Sequence, residues 1–474
     1  MRAIEPLFPD QPDHVFEIAG ERVMFPREGS LANRAHYLPA ISKNYADVAG
    51  DAAWSFAGVN GPQLNYLEPG RLFHYPATLV SAGQFAKTPV MAARNTVVSQ
   101  RNKGSTFTVA DSGGFQIQEG TMPWEGEATV LRMLRWMEDN GDWVMALDFP
   151  TGGISPGNMI PHVQRMRAEG LGPQLDSLNA ANRLGFEYNA CLLQTLINTD
   201  YMLTHRDPGK AGFLTVLQGR NEAESSTWYR ESASRITDGI AFAGGHVRHY
   251  GLMLNRILDM RADGTLQRLR HIHVLGTSTL DCAVMLTVIQ RAIREHDKTD
   301  LQITYDTSNP SVTALRYNQA ITSYGLDYVA ASVSNDAPSQ AHPDAYDRTL
   351  NEWCADLTHA RNEDCRKSGR DRQYAAFTSV GNLVKVRDLL DFSGAVPKPI
   401  SDAMLLVACH NIQVTVDAHR NAISNWYNSD QSRLRFPAAL LKMEAVINTV
   451  LNPVLCPQPR PVIAESQHIL TSLA

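Results

Sequence analysis

The chain has 474 residues and a formal net charge of −6 at pH 7, and 43% of its residues are hydrophobic and 19% charged. This composition excludes extended disorder, and the length predicts a large catalytic domain with an appended part, or an α/β barrel with long insertions. The negative charge gives no global attraction to polyanions, so a nucleic-acid contact would need a local basic surface.

Nothing in the sequence resembles a targeting or membrane-spanning segment. Residues 1–9 contain no apolar h-region, and no uninterrupted apolar run is long enough to cross a bilayer. The six cysteines are scattered without Cys-x-x-Cys spacing, which fits a reducing compartment. We therefore expect a cytoplasmic protein with no membrane partner.

Short apolar segments that end in polar or glycine residues recur along the middle of the chain, and they predict buried strands. Residues 1–75, rich in Pro, Gly and aromatics, predict a layer packed on the following domain. Helical stretches lie between most of the predicted strands, and after about residue 340 the helical runs 401–424 and 433–451 form a separate pattern. The predicted strands are 107–110, 143–147, 213–217, 240–243, 271–275, 301–305 and 328–332.

A doubly wound sheet and a (β/α)₈ barrel both fit this alternation. Polar residues at several successive strand ends favour the barrel, and no Gly-x-Gly-x-x-Gly turn supports a dinucleotide fold. We predict an α/β chain with a (β/α)₈ TIM-type barrel over 76–340 and a mainly helical region over 341–474. The long gap from Asp148 to Gln218 predicts an insertion or an extended loop that covers the site.

The string Asp-Ser-Gly-Gly-Phe-Gln at 111–116 directly follows the first predicted strand. Two glycines let the backbone turn sharply and approach a ligand closely, so the string is typical of a catalytic strand end. Taken alone, the string favours an acidic turn between two elements, because its residues are ordinary turn formers.

The order of five motifs along the chain resembles the tRNA-guanine transglycosylase family. The motifs are the string at 111–116, Asp148, Gln218-Gly219, Gly244-Gly245 and Asp306. The resemblance covers roughly residues 80–330 and extends to His410-Asn411. It implies a (β/α)₈ barrel that exchanges a guanine for a 7-deazaguanine, such as 7-cyano-7-deazaguanine, through a covalent glycosyl-aspartate intermediate. The implied reaction requires no cofactor.

The resemblance also assigns the catalytic pair. Asp306 stands where the family has its nucleophilic aspartate, which attacks the sugar C1′ and holds the sugar as an ester. Asp111 is then the acid that protonates the departing guanine and the base that deprotonates its replacement.

Six further residues are predicted to bind the base. Asp148 accepts from the two guanine donors, Gln218 and the backbone N–H of Gly245 serve O6, and Phe115 offers a face for stacking. Gly244 precedes Gly245 in the same turn, and Leu275 closes the other face of the base.

The zinc site of the family is altered in this sequence. The Cys-x-Cys-x-x-Cys run is missing, and only Cys354, Cys365 and His410 stand near its position. We expect no zinc, with His410 packing or capping, and a three-ligand remnant is the alternative.

The segment after the nucleophile also departs from the family, since residues 307–311 are uncharged where basic residues usually follow. Extra length and an altered zinc region accompany this change. We therefore place DNA slightly ahead of tRNA as the polymer, as in the divergent branch that modifies DNA. A homodimer or accessory modification proteins are further partners left open.

Several alternatives remain at this stage. The sequence is also compatible with an ordinary tRNA enzyme of the family, with a catalytically silent nucleic-acid-binding subunit, and with a hydrolytic glycosidase or nucleosidase that uses the same two carboxylates with water. A metal-dependent barrel hydrolase would need clustered histidines, for which only His246, His249, His271 and His273 are candidates. The alternating His271 and His273 are interpreted as ordinary polar residues flanking a strand.

Overall fold

A computed structural model describes residues 15–18, 21–24, 33–277, 279–336, 346–368, 373–394, 396–428 and 436–471. Eight short strands with largely buried side chains form its central barrel, and we number them β1 to β8 in chain order. They are His36–Pro39, Ala77–Ser81, Phe107–Asp111, Trp143–Met145, Gly212–Leu217, Gly239–Phe242, His271–Val274 and Gln302–Thr307.

The strands pair in parallel in the order β1-β8-β7-β6-β5-β4-β3-β2. The two end strands meet where Ala40, just past β1, bridges Leu79 of β2, and Ile41 N donates to Leu79 O at 3.0 Å. This closure confirms the predicted (β/α)₈ barrel. It also removes the exposed edges that an open sheet would leave.

Helices follow the strands in alternation and cover the outside of the barrel. The one after β5 begins where the Asn221 side chain accepts from Glu224 N at 3.0 Å, which satisfies a backbone donor that the helix itself leaves unpaired. These helices are Lys43–Ala49, Ala82–Phe85, Pro89–Ala92, Gly114–Gln118, Glu127–Asn140, Glu222–Ser232, Tyr250–Ala262, Leu280–Asp297 and Asn309–Leu315.

The insertion between β4 and β5 is helical rather than an extended loop. It consists of helices Pro156–Ala168, Gly172–Asn182 and Phe186–His205. The glycines and proline at 170–173, which predicted a loop, form the turn between the first two of these helices and the start of the second. The third helix packs against Glu127–Asn140, so the insertion belongs to the outer helical layer.

The barrel begins at residue 36, earlier than the sequence-predicted boundary at 76. Strand β1 pairs with β8 through Tyr37 and Tyr305, and this partner lies far along the chain.

The predicted strand Tyr328–Ser332 lies outside the barrel, in an antiparallel sheet with Gln319–Tyr324 and Tyr374–Ala375. Short antiparallel pairs outside the barrel are Val15–Ile18 with Glu21–Met24, Ser55–Phe56 with Val59–Asn60, and Leu390–Asp391 with Lys398–Pro399.

The C-terminal region is mainly helical. Its longest helix, Ala403–Asn428, packs against Leu280–Asp297, Asn309–Leu315 and strand β1, and it thereby covers the outside of the β8–β1 seam. His419 on this helix stacks on Tyr37 at 4.3 Å between ring centroids, and its Nδ1 lies 2.8 Å from the Tyr305 hydroxyl. The remaining helices are Leu350–Ser368, Ser379–Leu383, Ala438–Leu451 and Pro459–Glu465.

Across the described ranges, no helix combines the length and the apolar character needed to cross a membrane.

Candidate active site

The sequence-predicted catalytic and base-binding residues all lie at the carboxyl ends of barrel strands. Because parallel strands end at one face, residues from six strands converge at a single barrel mouth. Asp111 ends β3 with Phe115 in the following helix, Asp148 follows β4, Gln218 follows β5, Gly244 and Gly245 follow β6, Leu275 follows β7, and Asp306 is near the end of β8.

Asp111 is held by hydrogen bonds from two directions. The Ser81 hydroxyl on neighbouring β2 donates to Asp111 Oδ2 at 2.7 Å, and the backbone N–H of Gly113 also bonds to this carboxylate. Burial raises the pKa of Asp111, and the negative charge of Asp306 raises that pKa further, against the lowering effect of Ser81. A carboxyl with a raised pKa is suited to holding and releasing a proton near neutral pH.

Gly113 makes the sharp turn after Asp111 sterically possible. Its φ is +80°, in the left-handed region that favours glycine, and a Cβ at this position would lie 2.3 Å from the Gly83 Cα. The loops after β2 and β3 therefore touch backbone to backbone, which brings Ser81 and Asp111 together.

Asp148 and Gln218 form a buried hydrogen-bonded pair. The Gln218 amide Nε2 donates to Asp148 Oδ2, while Gln218 Oε1 accepts from Thr151 N at 2.7 Å and from the Thr151 hydroxyl at 3.1 Å. Thr151 therefore fixes the amide orientation, so that the NH₂ group faces Asp148. Burial raises the pKa of Asp148 to about 7, and the charge of Asp111 contributes to this rise.

Asp306 is the third carboxylate of the mouth and is buried at 6% exposure. Its Oδ1 accepts from the backbone N–H of Gly276 at 2.9 Å and lies 3.2 Å from His273 Nε2. Among the described residues, no hydrogen bond is made to its Oδ2. The loop after β7 and His273 thus hold one of the two carboxylate oxygens.

Phe115 and the β6 loop differ in how well they suit base binding. Phe115 is 47% exposed, which leaves its ring available for stacking, and Leu275 is partly buried. Gly244 has a φ of +64°. The N–H of Gly245 donates to Gly219 O at 2.8 Å, so its expected role as a donor to guanine O6 does not match this structure. The N–H is already used to tie the β5 and β6 loops together.

His273 is the principal site residue that the sequence interpretation missed. His271 and His273 do not flank the strand as ordinary polar residues, because both are buried inside the barrel at 1% and 0% exposure. The His271 ring stacks on Phe107 and Trp143, which lie on β3 and β4 across the barrel. The alternation His-Ile-His was the available signal, since a two-residue period puts both imidazoles on one face of the strand.

The region of the altered zinc site does not suit a metal ion. His410 Nδ1 lies 2.7 Å from the Thr378 hydroxyl and Nε2 lies 2.9 Å from Ile321 O, so both ring nitrogens already have protein partners. Cys354 Sγ is 3.9 Å from His410 Nε2, and burial raises the pKa of the Cys354 thiol, which disfavours the thiolate that binds zinc. Cys365 is also buried. No group of three or more His, Cys, Asp or Glu side chains within the described ranges is arranged to hold a metal.

His246, a candidate for a metal-dependent hydrolase, is likewise engaged by the protein. Its Nε2 lies 2.7 Å from the Ser225 hydroxyl and its Nδ1 lies 2.8 Å from Ala243 O. It therefore ties the β6 loop to helix Glu222–Ser232.

Comparison with protein-family models, curated proteins and solved structures gave no match for this chain.

Proposed function

We propose that the protein is a nucleic-acid guanine transglycosylase that exchanges guanine for a 7-deazaguanine base through a covalent glycosyl-aspartate intermediate. The observation that carries this proposal is the pairing of Asp148 with an oriented Gln218 amide in the same mouth as Asp111 and Asp306. A hydrolytic glycosidase that acts on sugars needs the two carboxylates but has no need of this donor and acceptor set.

Base recognition follows from the fixed amide. Thr151 occupies Gln218 Oε1, so Gln218 offers donors and Asp148 offers acceptors to a ligand. Guanine presents the complementary edge, because O6 accepts while N1–H and the exocyclic amine donate. Leaving one such group buried and unpaired costs about 1–3 kcal/mol, which is enough to select the base. A 7-deazaguanine carries the same edge.

The proposed reaction runs in two balanced halves. Asp306 Oδ2 attacks the sugar C1′, the C1′–N9 bond breaks with its electron pair moving to the base, and Asp111 gives that base a proton. The incoming 7-deazaguanine then loses its N9 proton to Asp111, and N9 attacks C1′ to break the ester and regenerate the Asp306 carboxylate. The raised pKa of Asp111 supports its role as the proton carrier.

DNA is the polymer we favour, with tRNA as the alternative. Two features differ from what the tRNA enzymes of the family carry. The segment after Asp306 is uncharged, and the described residues contain no group of three or more side chains arranged to hold a metal. A duplex would have to extrude its target base into the mouth, and the exposed ring of Phe115 gives that base a stacking surface. The proposed setting is cytoplasmic.

The test is a base-exchange assay. The protein is incubated with a 7-deazaguanine and with guanine-labelled tRNA, duplex DNA or single-stranded DNA in parallel, and release of labelled guanine is followed. Release from DNA alone supports the proposal as stated, and release from tRNA alone supports the ordinary family activity. Release from none of them overturns the enzymatic proposal and favours a silent nucleic-acid-binding subunit.

Asp306→Asn serves as the matched control in each arm, because it changes one atom of the nucleophile. Release that persists in this variant would come from a contaminating activity or from another residue.

A further inference from the structure

Three buried polar side chains lie inside the barrel next to Asp306. His271 and His273 come from β7 and Thr304 comes from β8, and each is at most 1% exposed. The Thr304 hydroxyl lies 2.7 Å from His271 Nε2 and 2.8 Å from His273 Nδ1, and His273 Nε2 lies 3.2 Å from Asp306 Oδ1. The contacts form a continuous chain that ends on the proposed nucleophile.

The direction of the hydrogen bonds in this chain can be derived. A hydroxyl carries one proton, so Thr304 can donate to at most one of the two imidazoles. Burial lowers the pKa of His271 well below its usual value, so His271 is neutral and carries one ring proton. If Thr304 did not donate to His273 Nδ1, that nitrogen would carry the ring proton, and in a singly protonated ring the Nε2 lone pair would face a carboxylate oxygen.

The favourable arrangement is therefore the opposite one. His271 Nε2–H donates to Thr304, the Thr304 hydroxyl donates to His273 Nδ1, and His273 Nε2–H donates to Asp306 Oδ1. A histidine whose second ring nitrogen is fixed by a neighbour has a defined tautomer and ring orientation.

We propose that His273 is a positioning residue for Asp306, with Thr304 and His271 setting its tautomer. This inference rests on the proposed function of Asp306 as nucleophile. His273 and the N–H of Gly276 together hold Oδ1, which leaves Oδ2 as the attacking oxygen. The carboxylate then needs no reorientation when the substrate binds.

A purely structural role accounts poorly for this cluster. The interior layers of such barrels are usually filled by branched apolar side chains. Two imidazoles and a hydroxyl cost free energy when buried unless each is hydrogen bonded, so apolar residues would fill the same space with less constraint.

The first test compares two substitutions at one position. His273→Gln keeps an amide N–H near the place of Nε2, whereas His273→Leu removes the donor and keeps the bulk. We expect His273→Leu to slow base release in a single turnover by roughly 10- to 100-fold, the usual effect of losing such an orienting contact. Binding of the polymer should change by less than about twofold. His273→Gln should recover most of the rate.

Thr304→Val is the second variant and keeps His273 itself in place. It should slow base release by a smaller factor. Thr215→Val is the matched control. Thr215 is also a buried strand threonine, but its hydroxyl donates at 2.8 Å to Arg235 O, in the turn after helix Glu222–Ser232, and among the described residues it makes no hydrogen bond to the mouth. Base release at the wild-type rate in His273→Leu, or no recovery in His273→Gln, would overturn the inference.

A readout that needs no activity completes the test. Long-range ¹H–¹⁵N spectra of histidine-labelled protein, with His273→Gln used for assignment, should show His273 protonated on Nε2 and unprotonated on Nδ1. The reverse tautomer would overturn the proposed chain even if every rate followed the expectation. Absence of base exchange in the wild-type protein would instead overturn the proposed function, while the tautomer would still decide the geometry.

Discussion

A Cβ atom at Gly114 would lie 1.7 Å from the carbonyl oxygen of Asp148. The backbone after β3 and the backbone after β4 are therefore in contact at a point where only glycine fits. This contact sets the position of Asp148 relative to the Asp111 turn.

Gly114→Ala should consequently displace Asp148 and damage both the fold and the site. We expect a lower melting temperature and a loss of base exchange of at least roughly tenfold, because small displacements of a positioned group are costly. Gly157→Ala is the control, since its Cβ would have no heavy atom within 4 Å. Equal activity in the two variants would contradict the proposed steric role of Gly114.

Asp148→Asn should change which base the protein accepts. The introduced amide retains one oxygen to accept N1–H but places a donor against the exocyclic amine of guanine. Exchange of guanine should fall roughly 10- to 100-fold, while xanthine, which has a carbonyl at that position, should gain. Competition assays with the two bases measure this, and Asp176→Asn, at an exposed ion pair with Arg167, should change neither rate.

Asp148 should also make stability depend on pH in a defined direction. The pKa of Asp in an unfolded chain is about 3.9, whereas burial raises the pKa of Asp148 in the folded protein to about 7. The stability contributed by the protonated carboxyl is thus fully present below about pH 4 and is lost as the pH rises through about 7.

Asp148→Asn removes this loss, so the variant should melt higher than the wild type at pH 8.5, by a few degrees for roughly 2–4 kcal/mol. The two proteins should melt alike near pH 4. Scanning calorimetry across this range measures the difference, and a difference that stays constant with pH would contradict the assignment.

Asp306→Asn should abolish transfer without unfolding the protein. The amide oxygen can still accept from His273 and from the N–H of Gly276, so the local hydrogen bonds survive while the nucleophile is lost. We expect a loss of at least about 1,000-fold in base exchange with a nearly unchanged melting temperature. Asp111→Asn should retain polymer binding while blocking turnover. Turnover at the wild-type rate in either variant would remove the substituted residue from the mechanism.

His410 should stabilise the C-terminal region as a hydrogen-bonding residue and not as a metal ligand. His410→Ala removes the acceptor of the Thr378 hydroxyl proton and the donor to Ile321 O in the interior, which should cost about 2–4 kcal/mol. Treatment of the wild type with EDTA should leave its melting temperature unchanged. A drop on EDTA treatment to the value of the variant would favour the three-ligand metal alternative, and the exposed His205→Ala serves as the control.

The barrel and most of its mouth were predictable because the signal is local. Segments such as the one before Asp111 are apolar throughout and then end in polar or glycine residues, as strands buried on both faces do. Strand β1 was not predictable in this way. His36–Pro39 is a strand because β8 and β2 provide its partners, and neither partner is close to it in sequence.

The role of His273 could not be inferred for a different reason. The pattern His-Ile-His-Val fixes which residues share a face, but it does not say whether that face is inside or outside the barrel. Barrel interiors are usually apolar, so the two histidines were interpreted as ordinary polar residues flanking a strand. The contact with Thr304 and Asp306 depends on the register between two strands that are about 30 residues apart in the sequence, and local pattern does not give that register.

The packing of His419 against Tyr37 and Tyr305 has a consequence for synthesis of the chain. The seam of the barrel pairs β1 with β8, which is translated much later than β1. The helix Ala403–Asn428 that covers the seam is translated about a hundred residues after β8. Contacts of such long sequence separation form slowly. Until that helix has been made, the nascent barrel carries two uncovered tyrosines along this seam, and this is the stage at which chaperone binding or premature aggregation would act.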